Sequence, residues 1–117
     1  MKFTKEIKEN WLKNLKSGKY NQGFTALVVD ENNNNLSENT DEEKFHCCLG
    51  VLGDCTDGLN NYSINAVDDP YTFLNNTIGA VFTQNLYETN DDFDYQKTGK
   101  RDYSNIIPLI KKLETQN

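Results

Sequence analysis

One segment near the middle of the chain, Phe45–Cys55, constrains the fold most. Its apolar positions suit a short buried helix that follows an extended stretch; they are Cys48, Leu49, Val51, Leu52 and Cys55. Gly50 and Gly53 oppose a helix, since each costs about 1 kcal/mol relative to alanine in a helix interior. They also allow another backbone to approach closely. We therefore expect a central helix in close contact with a neighbouring segment.

The N-terminal segment predicts an amphipathic helix with defined ends. Thr4 can cap it, and Ser17–Gly18 is a suitable stop because glycine adopts the left-handed conformation that often ends a helix. Its apolar residues recur on one face at helical spacing: Ile7, Trp11, Leu12 and Leu15.

Shorter elements are expected up to residue 79. The β-branched stretch Phe24–Val29 predicts a strand, and Tyr62–Val67 is a second candidate strand. Asp30–Glu43 is polar and Asn-rich, which is typical of an exposed loop with room for a frayed hairpin. Asp69–Pro70 can start a short helix that ends before Gly79.

The C-terminal third is less regular. Ala80–Phe82 and Asn85–Tyr87 predict a hairpin or two short strands, and Asn90–Gly99 predicts an acidic loop. A last helix is expected over about Tyr103–Leu113. Pro108 removes a backbone donor there, so the regular helix either begins near this proline, after a looser turn, or kinks.

Together these elements predict a single small α+β domain over residues 1–117. In this architecture, N- and C-terminal helices pack on a short, mostly antiparallel sheet with a central buried helix.

The charge of the chain bears on its partners. A net charge of −6 disfavours general binding to nucleic acid, because phosphates repel an acidic protein. Lysines are nevertheless concentrated near the N-terminus: Lys2, Lys5, Lys8, Lys13, Lys16 and Lys19. They either attract a phosphorylated small molecule or simply form a solvated helix face.

The cysteines and the absence of long apolar runs bear on location. Cys47 and Cys48 are adjacent, a poor arrangement for a disulfide framework. Residues 1–19 lack the apolar core of a secretory signal, and no apolar run approaches the roughly 20 residues of a membrane span. We therefore expect a cytoplasmic protein with free thiols and no membrane partner.

Catalysis by a cysteine is the sharpest enzyme hypothesis. Gln22 precedes Cys47 and Cys48 as an oxyanion-hole glutamine precedes the nucleophile of papain-like hydrolases. A base is also required, and the one histidine, His46, adjoins the cysteines in sequence and is expected to point away. Small buried core thiols are the favoured interpretation.

Metal and cofactor sites are not expected. Cys47 and Cys48 lack the Cys-x-x-Cys spacing of a zinc site. An EF-hand starting at Asn90 or Asp91 would have no glycine at its sixth position, so an acidic turn that caps the following segment is favoured.

Large polar-tipped residues beside predicted turns point to a small ligand. Aromatic rings can stack on a flat molecule, amides and carboxylates can hydrogen-bond a base or ribose, and cations can meet phosphate. The candidate ligand-binding residues are Trp11, Lys16, Lys19, Tyr20, Gln22, Cys47, Cys48, Asn90, Asp91 and Arg101. In the alternative interpretation, Trp11 belongs to the core, Tyr20 and Gln22 stabilise a turn, and Asn90–Asp91 caps a helix.

Three stretches together resemble a family of small phage and prophage proteins. Residues 11–23 carry a Trp helix followed by Ser-Gly-x-Tyr-x-Gln-Gly, and residues 45–52 are similar to an aromatic-x-Cys-Cys-Leu-Gly-Val-Leu run with one extra residue, His46. Leu86–Asp91 and the last helix are similar to the family's C-terminal Leu-x-x-x-Asn-Asp pattern. The chain departs from the family at Gly53, where a cysteine is usual, and by the insertion of Asp92–Arg101.

The resemblance implies a phage accessory protein in the cytoplasm of a bacterial host, but it supplies no catalytic residues. Our leading hypothesis is a non-catalytic homo-oligomer that sequesters a nucleotide-derived ligand, such as a host anti-phage defence signal. The alternatives are a cysteine-dependent hydrolase or transferase, and an inhibitor that binds a host protein through its acidic surface.

Overall fold

Helices make up most of the regular structure in the computed structural model, which describes residues 1–63 and 68–116. In chain order the elements are α1 (Lys5–Lys16), β1 (Val28–Val29), β2 (Phe45–His46), α2 (Cys48–Cys55), α3 (Pro70–Thr77), α4 (Ala80–Asn90), α5 (Phe93–Lys97) and α6 (Ile107–Lys111). Helices packed around α2, together with one antiparallel strand pair, confirm the predicted α+β class.

Helix α2 is central and buried, as predicted. All its residues from Cys48 to Gly53 are buried, and it contacts α1, α3 and α4. A Cβ atom on Gly50 would lie 2.1 Å from the carbonyl oxygen of Leu27. Only glycine therefore lets the segment before β1 approach so closely, and the predicted close approach of another backbone is confirmed.

Helix α1 also follows the sequence prediction. The hydroxyl of Thr4 accepts a hydrogen bond from the N–H of Ile7 at 3.2 Å, which caps the helix. Trp11 and Leu15 are buried on the face that packs against α2 and α6. The expected apolar stripe thus places α1 on the core.

Helix α6 begins at Ile107, with Pro108 in its first turn, where the missing N–H is harmless. The N–H of Ile107 donates to the carbonyl of Tyr103 at 3.0 Å, so a looser turn precedes the helix. Of the two alternatives for Pro108, the late start is the one observed. Lys8 Nζ of α1 donates to the carbonyl of Leu113 at 2.6 Å and ties the two ends of the chain together.

The sheet is shorter than predicted. Val28 pairs with His46 in the antiparallel ladder of β1 and β2, but the rest of the predicted strand Phe24–Val29 is not in the ladder. Thr25 has a φ of +77°, and this left-handed conformation interrupts the extended chain.

The predicted loop Asp30–Glu43 contains the remnant of a hairpin. Asp30 Oδ1 accepts hydrogen bonds at 2.9 Å from the N–H groups two and four residues later. Beyond this turn, Val29 and Asn35 form a single antiparallel bridge.

The predicted hairpin of Ala80–Phe82 and Asn85–Tyr87 is wrong, because α4 is helical throughout. The buried residues of α4 are Thr83, Leu86 and Asn90, which recur at helical spacing. Two of these three are polar, so the buried face carries no apolar periodicity that the sequence could reveal.

The predicted loop Asn90–Gly99 is wrong in its middle, where α5 forms. Asp92 Oδ1 accepts from the N–H of Tyr95 at 2.7 Å, so the expected acidic cap is present. Helix α3 agrees with its prediction, including the cap at Asp69. Of the candidate strand Tyr62–Val67, the last four residues lie outside the described residues.

Candidate functional site

Polar side chains of the first and third signature stretches meet at the core in a cluster that we call the amide network: Gln22, Asn90 and Asn105. Gln22 Nε2 donates to Asn90 Oδ1 and to Asn105 Oδ1, both at 3.0 Å. Gln22 Oε1 accepts from the N–H of Tyr103 at 2.8 Å. The side chain of Gln22 is fully buried, and both hydrogens of its Nε2 are donated within the protein.

Asn90 has all four hydrogen-bonding positions of its side chain occupied. Its Oδ1 accepts from Gln22 and from the N–H of Cys48 at 3.0 Å. Its Nδ2 donates to the carbonyl of Gly23 at 3.0 Å and to Asp91 Oδ1 at 2.9 Å. An amide offers two donors and two acceptor lone pairs, so Asn90 retains no capacity for a ligand.

A cavity of about 430 Å³, which we call the tyrosine cavity, adjoins the amide network. It is lined by Thr25, Ala26, Leu27, Cys47, Leu49, Tyr71, Tyr87 and Asp91. The rings of Tyr71 and Tyr87 have centroids 5.8 Å apart and are tilted by 46°. Tyr71 is 42% exposed, so the cavity reaches the surface beside this ring.

Asp91 contributes a carboxylate to the lining of the tyrosine cavity. Its Oδ1 accepts from the N–H of Thr25 at 3.1 Å and from Asn90 Nδ2 at 2.9 Å. Gln96 Nε2 donates to its backbone carbonyl at 2.8 Å, which fixes the turn after α4. The second oxygen, Oδ2, accepts no hydrogen bond from the residues that the structure describes. A carboxylate oxygen in a fixed orientation is therefore available to a ligand.

Cys47 lies on the wall of the tyrosine cavity at the start of α2. Its Sγ accepts from the N–H of Gly50 at 3.4 Å, and its own N–H donates to the carbonyl of Leu27 at 3.2 Å. Burial raises the pKa of the Cys47 thiol to about 12 and the pKa of Cys48 well above its ordinary value. At neutral pH both sulfurs are thiols, which are poor nucleophiles.

The imidazole of His46 faces a different part of the protein. Its ring packs edge-on against the ring of Tyr20, with centroids 5.1 Å apart, and Tyr20 donates its hydroxyl to Asp54. Burial lowers the pKa of His46. None of these three side chains lines the tyrosine cavity, so the geometry offers no imidazole base to Cys47.

The other sequence-predicted ligand residues lie outside the tyrosine cavity. Trp11 is buried in the core and donates from Nε1 to the carbonyl of Cys48 at 2.8 Å. Arg101 lies 4.5 Å from the ring centroid of Phe45 and donates to the carbonyl of Gln22.

The two predicted phosphate-binding lysines are also not part of the cavity lining. Lys19 Nζ lies 5.2 Å from the ring centroid of Tyr20. Lys111 beside Lys16 lowers the pKa of Lys16. Of the ten candidate residues, the cavity lining therefore includes Cys47 and Asp91.

Sequence reasoning missed the two tyrosines. The sequence predicts a strand at Tyr87, and it places Tyr71 on a helix without indicating a role in binding. Both project toward the start of α2 because α3 and α4 pack on that helix. No local pattern reveals such a long-range arrangement; only the Asn90–Asp91 pair signalled this end of α4.

Within residues 1–63 and 68–116, no group of three or more His, Cys, Asp or Glu side chains could hold a metal ion. No helix in the described part of the chain combines the length and apolar character needed to cross a membrane.

Comparison with known proteins gives no match: no protein-family model, no curated protein and no solved structure matches this chain.

Proposed function

We propose that the protein captures a small nucleotide-derived ligand in the tyrosine cavity and holds it without reaction. The observation that carries the proposal is the unpaired Oδ2 of Asp91, a residue that lines a cavity flanked by two tyrosine rings. Such a combination can hold a flat ring and fix its orientation at one polar edge.

The size and the walls of the cavity suit a small aromatic molecule. Its volume of about 430 Å³ falls in the range of ligand pockets, roughly 300–1,000 Å³. Leu27 and Leu49 supply apolar wall, while Tyr71 and Tyr87 supply ring faces at the mouth. A base or nucleoside can therefore be buried between apolar groups with one polar contact.

The charge of the cavity determines which part of a nucleotide enters it. Asp91 is its one charged side chain, and the described lining includes no lysine or arginine. Phosphate groups are repelled by a carboxylate, so they are expected to remain in solvent. The ligand is thus held by its base or ribose, and its phosphates add little affinity.

Capture is favoured over catalysis by the state of the sulfur. Cys47 lines the cavity, which is the observation in favour of a cysteine-dependent hydrolase or transferase. Its pKa of about 12 leaves almost no thiolate at pH 7, and the His46 ring packs against Tyr20. Non-covalent sequestration requires neither a nucleophile nor a base.

The phage setting of the proposal comes from the resemblance of the three signature stretches. A phage accessory protein that binds a host defence signal at high occupancy would lower its free concentration. We also propose that the protein acts as a homo-oligomer, since Val81 and Phe82 leave apolar surface on α4, 73% and 55% exposed. Light scattering of the purified protein tests this; a monomer at all concentrations contradicts it.

Isothermal titration calorimetry tests capture directly. The panel contains nucleosides, mononucleotides, cyclic dinucleotides and ADP-ribose derivatives, and mass spectrometry of the recovered ligand tests for turnover. We expect saturable binding of at least one compound, returned intact. Failure of every compound to bind, or conversion of the bound compound, contradicts the proposal.

A matched pair of variants locates the site. Tyr71→Leu removes a ring of the cavity and is expected to weaken binding by roughly 5- to 150-fold, since base–aromatic stacking is worth about 1–3 kcal/mol. Phe93→Leu removes an aromatic ring that is 70% exposed and outside the cavity, so it should bind as the parent does. Equal weakening by both substitutions would place the site elsewhere.

A further inference from the structure

We infer that the tyrosine cavity selects a guanine-type base, which presents adjacent N–H donors to Asp91. This inference rests on the proposed function and adds the chemical class of the ligand. It follows from the hydrogen-bonding groups that the fold leaves available at the cavity and those that it has already used.

Three backbone donors near the cavity are engaged within the protein. The N–H of Thr25 donates to Asp91 Oδ1 at 3.1 Å, and the N–H of Cys47 donates to the carbonyl of Leu27 at 3.2 Å. The N–H of Cys48 donates to Asn90 Oδ1 at 3.0 Å. These three groups are therefore not offered to a ligand.

One group left unpaired at the cavity is an acceptor, the Oδ2 of Asp91. Asp91 Oδ1 already accepts two hydrogen bonds, and Oδ2 accepts none from the described part of the chain. An ionised carboxylate can only accept, so a ligand that meets Oδ2 must bring a donor. A ligand that brings an acceptor lone pair instead is repelled by the negative charge.

Among the common bases, guanine fits this requirement best. Its N1–H and its exocyclic N2 amine are neighbouring donors on one edge, so either of them can donate to Oδ2 while the base stacks on one tyrosine ring. Adenine places an unprotonated acceptor nitrogen beside its amine on the corresponding edge. Hydrogen bonds to a charged acceptor are worth roughly 1.5–3 kcal/mol, which corresponds to a preference on the order of 10- to 100-fold.

The neighbouring structure holds Asp91 in the geometry that this selection requires. Its backbone N–H donates to the carbonyl of Tyr87 at 3.0 Å at the end of α4, and Gln96 binds its carbonyl. Because Oδ1 is also fixed by two donors, Oδ2 cannot rotate away without breaking them. The carboxylate is preorganised for the ligand edge.

Three nucleosides that differ on this edge test the inference by calorimetry. Guanosine carries both donors, inosine lacks the amine, and adenosine carries the acceptor nitrogen. We expect affinity to fall in that order, with guanosine at least tenfold tighter than adenosine. Equal affinities for guanosine and adenosine, or tighter binding of adenosine, overturn the inference.

Asp91→Asn gives the sharper test. The amide oxygen can keep both hydrogen bonds of Oδ1, while its NH₂ replaces Oδ2 with a donor. The preference should then invert, so that adenosine binds the variant at least as tightly as guanosine does. Asp94→Asn is the matched control: Asp94 makes an exposed ion pair with Lys97 and is outside the cavity lining, so the order should remain that of the parent. An Asp91→Asn protein that keeps the parent order overturns the inference.

Further titrations distinguish a nucleoside from a mononucleotide or dinucleotide as the source of the base. They also distinguish failure of the guanine preference from failure of the proposed capture of a ligand. Guanosine, 5′-GMP and cyclic di-GMP share the base and differ in phosphate; equal affinities point to the base alone, and tighter binding of cyclic di-GMP identifies a dinucleotide. If adenosine and guanosine bind equally and Tyr71→Leu weakens both, the selection fails and capture stands. If no compound binds, the proposed function itself fails.

Discussion

Asn90 and Asp91 are consecutive residues at the end of one helix, yet the fold uses them in opposite ways. Asn90 is fully buried, and every donor and acceptor of its side chain is paired within the protein. Asp91 is partly exposed, and one of its two oxygens is unpaired among the described residues. The amide network is therefore closed, and the tyrosine cavity beside it is open.

This difference separates the residues that stabilise the fold from the residues that can bind a ligand. Amides buried without partners are costly, so a fully paired network fixes one arrangement of its segments. Gln22 and Asn90 join the turn after α1, the start of α2 and the end of α4. The closed network thus positions the wall of the open cavity, and substitutions in the two regions should have separable effects.

The largest expected effect is on stability, from Asn90→Ala. The substitution leaves the buried N–H of Cys48 and the carbonyl of Gly23 without partners, at about 1–3 kcal/mol each. We expect the free energy of unfolding in urea to fall by roughly 2–6 kcal/mol. Asn14→Ala is the control, because the side chain of Asn14 is only partly buried and bonds only to Asn10 within α1, so its loss should change stability by about 0.5 kcal/mol or less. Similar losses from both variants would contradict a structural role for the network.

A pH-dependent effect on stability is expected from His46, which lies next to the amide network. Its buried Nδ1 has no hydrogen-bond partner in the described residues, and burial lowers its pKa below 6.5 in the folded chain. The unfolded chain therefore takes up the proton at higher pH than the folded chain does. The stabilisation is complete above about pH 6.5 and is lost as the pH falls through the folded pKa.

Urea midpoints at pH 7.0 and 5.0 measure this loss. His46 is the one histidine of the sequence, and the pKa values of the carboxyls of Asp30 and Asp102 are lowered, so these groups act only at more acidic pH. We expect the midpoint to fall between the two pH values, and His46→Gln to flatten the difference. A parent protein with equal midpoints would show that the ring is solvated when folded.

The sequence predicted those parts of the fold that local signals determine. Thr4 and Asp69 mark helix starts, and the spacing of Trp11 and Leu15 identifies a buried face. Helix α4 escaped prediction because Thr83 and Asn90 on its buried face are polar. The hydroxyl of Thr83 is paired with the carbonyl of Gly79 one turn earlier, whereas Asn90 pairs with distant residues. No local pattern encodes those distant partners.

The candidate site was predictable to a similar extent. The sequence indicated Cys47 and Asp91, which line the tyrosine cavity. It also indicated Gln22 and Asn90, but their side-chain amides are hydrogen-bonded within the protein. Tyr71 was missed, because its position depends on how α3 packs on α2. Residue type indicates which side chains can bind, whereas packing decides which of them retain an unpaired group.

The smallest effect on stability is expected from Asp91→Asn, and it tests the difference between Asn90 and Asp91. Asp91→Asn should change the free energy of unfolding by about 0.5 kcal/mol or less, because the amide oxygen can keep the bonds to Thr25 and Asn90. Urea unfolding of the Asn90→Ala and Asp91→Asn proteins under one set of conditions measures the contrast. A loss above 2 kcal/mol in Asp91→Asn would mean that the charge at Oδ2 is part of the fold. Asp91 would then stabilise the fold as the amide network does, and its Oδ2 would no longer be evidence that the tyrosine cavity binds a ligand.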